Sequence, residues 1–215
     1  MKCLFIDTSS PTLSLAIIID NQTKATVNYK DIKEHSKYAM IGMAKVFKEV
    51  NLKPNEMDRL IVVNGPGSFT GIRIGLTIAK VYAWALNKEI ISISALKAYA
   101  LANSGFDYYI TILKEREDYG YLGIYDCFYN ELRSEQYIEL KKINNIIDKL
   151  KGNIIITSNI KLDNKLIQKP LKLDFEKIVT YLASKSSINP HQIIPNYIKE
   201  IAVTKLVKDS DRCNE

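Results

Sequence analysis

Two short segments hold the residue types most suited to chemistry. Gly65-Pro66-Gly67-Ser68-Phe69-Thr70-Gly71 follows the apolar run 59–63 and opens a helical pattern. A strand that ends in a glycine turn and starts a helix can hold an anion on backbone N–H groups and the helix dipole. Glycines at such a turn also serve a tight bend and close helix packing, and both readings stay open. No Lys-Ser/Thr follows the last glycine, and the third glycine is one residue too far for a dinucleotide fingerprint. Asp7-Thr8-Ser9, after the first apolar run, offers a carboxylate and two hydroxyls that suit phosphate and metal, or a plain polar turn.

Other chemistries find less support. The only histidines, His35 and His191, form neither H-x-x-x-H nor H-E-x-x-H, which excludes a two-histidine metal site on one helix. No G-x-S-x-G elbow supplies a hydrolase nucleophile. Glu115, Glu117 and Asp118 alternate with Lys114 and Arg116, the pattern of a solvated turn. Tyr119, Tyr121, Tyr125, Phe128 and Tyr129 follow in a strand-like run, suited to packing or to stacking on a base.

The net charge of +6 suits a polyanionic partner, although no Lys/Arg block with interleaved aromatics stands out. Cys3, Cys127 and Cys213 are odd in number and widely spaced, so neither a disulfide framework nor a zinc knuckle is indicated. The run 2–6 is too short for a secretory leader, and no apolar stretch approaches the roughly 20 residues of a membrane span. The expectation is a cytoplasmic protein with reduced thiols and no membrane contact.

These segments need elements to position them. Apolar runs at 2–6, 13–19 and 24–29, joined by short turns, predict a three-strand antiparallel meander. Three- and four-residue apolar spacing predicts a helix over 36–50, and a buried strand follows at 59–63. The helix predicted over 69–87 carries Gly71, Gly75, Ala79 and Ala83 four apart, a ridge that lets another backbone approach closely. Ile74, Ile78, Tyr82 and Ala85 line one flank and Ile72 and Leu76 the other, so the helix is covered on several sides. A strand at 89–93 and a helix at 95–103 complete the set. A second set follows, with strands near 108–113, 119–126, 135–140 and 153–157 and helices near 143–150 and 174–185. The expected organisation is one lobe at 1–104, a second at 105–208 and a polar tail at 209–215.

Ile6-Asp7-Thr8-Ser9, the unbroken run G-P-G-S-F-T-G-x-R-I-G at 65–75 and the helix after His35 closely resemble the TsaB (YeaZ) family. The resemblance covers about residues 1–103. Beyond it Lys114 stands where that family usually has Asp, and Pro195-Asn196-Tyr197-Ile198-Lys199 is similar to its P-x-Y-L-R with Lys for Arg. The resemblance implies an α/β, ASKHA (actin-like ATPase and kinase-like) fold of two lobes, each a mixed sheet with flanking helices. It further implies a non-catalytic subunit, without cofactor or metal, of the complex that forms threonylcarbamoyladenosine in tRNA. The catalytic paralogue TsaD carries the histidine pair and transfers the group, TsaC-type enzymes supply the adenylate, and TsaE is an ATPase of the complex. tRNA is met through that assembly.

On this resemblance the TsaD-binding residues are Tyr38, Met40, Ile41, Ala44 and Phe47 on one helix and Gly71, Arg73, Gly75, Ala79, Lys80 and Ala83 on the next. Asp7, Thr8, Ser9, Gly65, Gly67 and Ser68 correspond to vestigial phosphate loops, and the isolated chain is expected to pair with itself through the same helices. The competing reading is a small ASKHA-type phosphotransferase using Asp7 and the two loops on ATP. An independent tRNA-binding role and a peptidase are further alternatives.

Overall fold

The structure, a computed structural model, describes residues 1–32 and 34–198. The polar tail expected at 209–215, Lys199 and Cys213 lie outside the described residues. Two five-stranded mixed sheets share one plan. In the first, β1 (Lys2–Asp7), β2 (Leu13–Ile19) and β3 (Gln22–Tyr29) form the antiparallel meander, and β4 (Arg59–Val63) and β5 (Glu89–Ile93) add parallel strands in the order β3-β2-β1-β4-β5. In the second, β6 (Tyr108–Lys114), β7 (Tyr119–Asp126) and β8 (Glu131–Glu139) repeat the meander. There β9 (Ile154–Ser158) and β10 (Ile167–Lys169) add the parallel strands, in the order β10-β9-β6-β7-β8. Strand β10 has no counterpart among the expected elements, and β8 begins four residues before its expected start at 135.

The central strands read as continuous apolar runs because both faces of the first sheet are covered. On one face α1 (His35–Val50) and α2 (Phe69–Ala85) pack on Leu4, Ile6, Leu15, Ile17 and Leu60. On the other, α3 (Ala95–Ala100) packs on Phe5, Ile18, Ile61 and Ile91, and its opposite side meets Tyr109, Tyr121 and Tyr125 of the second sheet. This explains why α3 is buried along its whole length, Lys97 included. The short α4 (Ile143–Ile147) covers the far face of the second sheet.

The chain then returns to the first sheet. Ile178, Val179 and Leu182 of α5 (Phe175–Leu182) join the cluster around Phe5, and Arg59 ties the end of α5 down by donating to the Leu182 carbonyl at 3.0 Å. The Ile188 N–H donates to Ile90 on the edge strand β5, and the Asn196 N–H donates to the Asn64 carbonyl at 2.7 Å. Packing units therefore follow the sheets rather than the halves of the sequence.

The start of helix α2 approaches the turn after β1 closely. Its N-cap Ser68 accepts from the Gly71 N–H at 3.2 Å, and Thr8 Oγ1 donates to the Gly71 carbonyl at 2.6 Å. A Cβ on Gly71 would overlap the Thr8 carbonyl oxygen, and one on Gly75 would overlap Thr8 Oγ1. Glycine is thus required by close approach at both positions. Gly75→Ala is expected to destabilise the fold by about 1–3 kcal/mol through overpacking. In a Thr8→Ala background the same change becomes neutral or stabilising, because alanine outranks glycine in a helix by about 1 kcal/mol. Urea unfolding of the four proteins in that cycle checks this, and additive losses would refute it.

Candidate functional site

The two segments singled out by their chemistry meet. The turn after β1 lies on the glycine loop: the Ser68 N–H donates to the Ser9 carbonyl at 2.7 Å, and a Cβ on Gly67 would overlap that same oxygen. The Ala95 N–H donates to the Gly65 carbonyl at 2.7 Å, fixing the other end of the loop to α3. Carbonyls of Thr8 and Ser9 therefore occupy the hollow that the glycines leave. Asp7, Thr8, Ser9, Gly67, Ser68 and Gly71 come together as one packed unit, and the close-packing reading of the glycines accounts for its geometry.

Beside this unit a cleft of about 420 Å³ opens between the sheets, lined by Ser9, Ser10, His35, Ser68, Tyr99 and Lys114 among others. His35 Nε2 lies 3.0 Å from the Ser10 carbonyl, so the first residue of α1 is tied to the turn. Lys114 and Glu115, at the start of the charged turn, lie on the cleft's opposite rim. There the Lys114 N–H donates to Asn159 Oδ1 at 2.8 Å and Tyr137 donates to Glu115 at 2.7 Å. Among the described residues no group of three His, Cys, Asp or Glu side chains is placed to hold a metal ion.

A second polar cluster joins the sheets behind α3. Glu135 of β8 accepts from Ser94 at 2.5 Å, from Tyr125 at 2.6 Å and from Asn196 at 3.2 Å. It thus touches the α3 N-cap, the second sheet and the returning segment at once. Desolvation raises the Glu135 pKa despite those hydrogen bonds, and the buried Lys97 ammonium beside it is pushed down by the same cause.

The helical residues expected to meet a partner divide in two. Gly71, Gly75, Ala79 and Ala83 all face inward, with Ala79 0% exposed, so the small-residue ridge packs on the chain's own sheet. The ridge does permit a close approach, and what takes it at Gly71 and Gly75 is Thr8 in the turn after β1, through its carbonyl and its hydroxyl. Phe47 is likewise core, stacked on Tyr82 with ring centroids 6.4 Å apart. These five residues are buried within the chain itself. Lys80 is half-buried and donates to the Ile193 carbonyl at 3.0 Å, and half-buried Tyr38 packs on Tyr29 at 5.3 Å.

Met40, Ile41, Ala44 and Arg73 do face outward. Val81 beside them, 57% exposed, was missed by sequence reasoning; Trp84 is 67% exposed, and Phe69, Ile74 and Ile78 line with Met40 a groove of about 440 Å³ between α1 and α2. The signal was present in the apolar flank at 74, 78 and 85, which the helix pattern placed beside the ridge.

Asp7 is the buried ionisable group of the glycine unit. Its Oδ1 accepts from the Ser9 N–H and hydroxyl at 2.8 and 2.7 Å, whereas Oδ2 is buried without a hydrogen-bond partner among the described residues. Desolvation raises its pKa above the ordinary 3.8, outweighing the Ser9 hydrogen bonds. The folded state then binds the proton more tightly than the unfolded chain, so the contribution of Asp7 to stability is complete at acid pH. It is lost as pH rises from the ordinary aspartate range through the raised value. Asp7→Asn is expected to flatten that decline in denaturant melts run across pH, and an unchanged profile would refute the assignment.

Comparison with known proteins completes the picture. The family model described as TsaD, tRNA N6-adenosine threonylcarbamoyltransferase, matches residues 15–113. The tRNA threonylcarbamoyladenosine biosynthesis protein TsaB of Bacillus subtilis is 35% identical over 126 residues, 58% of this chain and 55% of that protein. TsaB of Haemophilus influenzae is 33% identical over 102 residues, 47% and 43% of the two chains. The chain spans about half the length of these curated relatives. In fold it is similar to a Pseudomonas aeruginosa protein described as similar to peptidase YEAZ, with TM-score 0.78 at 17% identity, covering 92% of this chain and 99% of that one. YeaZ of the same organism gives 0.75 at 17% identity, covering 91% and 100%. In sequence over about half its length the chain is thus similar to TsaB proteins, and in fold over both sheets it is similar to the YeaZ structures.

Proposed function

We propose that this chain is a non-catalytic scaffold subunit in the formation of N6-threonylcarbamoyladenosine in tRNA, acting by binding a TsaD-like paralogue through α1 and α2. The observation that carries this reading is the outer face of those helices. Met40 of α1 and Phe69, Ile74 and Ile78 of α2 line the groove between the helices, and Ile41, Ala44, Val81 and Trp84 are further exposed apolar residues on the same two helices. Scattered exposed apolar residues need no explanation, but a contiguous patch rimmed by polar groups marks a binding surface.

The TsaD match at 15–113 spans both helices, which supports a partner built on the same helix pair. Like helices pairing face to face would close both apolar grooves at once. A TsaE-like ATPase and tRNA then belong to the assembled complex, in the cytoplasm. The phosphotransferase alternative is disfavoured by the glycine loop, whose hollow is filled by the chain's own carbonyls.

Reconstitution tests the proposal. The chain alone is expected to leave tRNA unmodified, and to restore modification when added to the TsaD-like and TsaE-like proteins of the same cell with threonylcarbamoyl-adenylate. Ile41→Glu and Val81→Glu, at exposed positions, should weaken complex formation by tenfold or more, about 1.4 kcal/mol or above, with little change in melting temperature. Equal modification without the chain would refute the scaffold role, and full-strength binding by both variants would refute the surface.

A further inference from the structure

The outer helical face is not uniformly apolar. Arg73 stands exposed at its N-terminal end, and its guanidinium is built into place. The guanidinium carbon lies 3.8 Å from the Phe69 ring centroid, and its Nε donates to the Tyr197 hydroxyl at 2.8 Å. The two rings stack on each other with centroids 5.0 Å apart. Tyr197 is itself held in position, because the adjacent Asn196 N–H donates to Asn64 at 2.7 Å and Lys80 grips the Ile193 carbonyl at 3.0 Å. The returning segment therefore serves as a bracket that fixes one arginine on α2.

A fixed, planar cation suits a carboxylate well, since a guanidinium offers two parallel N–H donors and its rotamer freedom is already spent. Among the described residues no carboxylate pairs with Arg73. The rest of the face has the same sign. Helix α2 contains Arg73 and Lys80 and no acid, and α1 carries Lys37, Lys45 and Lys48. The acids near α1 are Asp31 and Glu34 ahead of its start and Glu49 in its last turn, and Glu34 already pairs with Lys37 at 3.3 Å.

This pattern distinguishes between occupants. In a two-fold pair the same patch meets itself, so a second copy would bring one basic face against another. Like charges set close together cost binding energy and suppress the wrong partner. We infer that Arg73 is the specificity anchor of the α1/α2 face, that it takes a carboxylate from the partner, and that the face thereby selects an acidic heterologous partner over a second copy of this chain. The inference rests on the partner reading proposed above and names the chemistry of that partner.

Calorimetric titration of the full chain with the TsaD-like protein of the same cell, at low and high salt, tests it, alongside sedimentation of the chain alone. Arg73→Met should weaken the complex by about tenfold to a hundredfold, the range of a charge-assisted hydrogen bond. Arg73→Glu should weaken it further and Arg73→Lys less, and the salt dependence should shrink in the Met variant. Sedimentation should show the opposite sign, with Arg73→Glu self-associating more strongly than wild type. Circular dichroism melts of each variant confirm that the fold persists. If wild type binds and Arg73→Glu binds equally well, the anchor is refuted and the partner reading survives. If wild-type self-association is the tighter equilibrium and Arg73→Glu abolishes it, a second copy is the occupant and the inference falls. If wild type does not bind the TsaD-like protein at all, the partner reading fails and takes the anchor with it.

Discussion

The contact of Thr8, through its carbonyl and its hydroxyl, with the first two turns of α2 is the constraint on which the rest of the molecule depends. Glycine at 71 and 75 lets the helix settle against the turn after β1, and the Thr8 hydroxyl locks the pair by donating to the Gly71 carbonyl. Once the small-residue stripe is committed inward, the rotation of α2 about its axis is fixed. The side chains left on the outside are then determined: Arg73, Ile74, Thr77, Ile78, Val81 and Trp84. The glycine loop is thus a packing device, and the exposed helical face follows from it.

Helix α3 and the returning segment extend that order to the second sheet. A six-residue helix buried between two sheets can carry a lysine only if the ammonium finds partners, and Lys97 finds the Tyr129 carbonyl and the face of the Tyr125 ring, 4.3 Å away. Glu135 then links the α3 N-cap, β7 and Asn196, whose neighbour Tyr197 reaches Arg73 on α2. A continuous run of hydrogen bonds and ring contacts therefore leads from the second sheet to the outer edge of the helical face.

Much of this was legible in the sequence, for identifiable reasons. Strands β4 and β5 were read at their true limits because each holds a short apolar stretch behind a charged first residue, Arg59 or Glu89, with a polar residue following. Helix α2 was read to within two residues because its apolar positions keep helical spacing over four turns. Strand β10 was not, since Ile-Gln-Lys is too short to show a period. Nor could the apolar stripe of α5 say which sheet it covers: Ile178, Val179 and Leu182 would suit either, and only the fold places them on the first. The small-residue ridge was the most instructive case. Spacing shows that another segment comes close, but not which one, and the close partner is Thr8 in the turn after β1.

The central claim is that the outer surface of α1 and α2 is where a TsaD-like partner docks. Hydrogen exchange read by mass spectrometry, on the full chain alone and mixed with that partner, tests it most directly. Added protection should concentrate in peptides covering 36–48 and 69–85, with the β6–β7 turn and the cleft rim exchanging as before. Protection centred on the cleft or on the β8 edge, with 36–48 and 69–85 unchanged, would contradict the account.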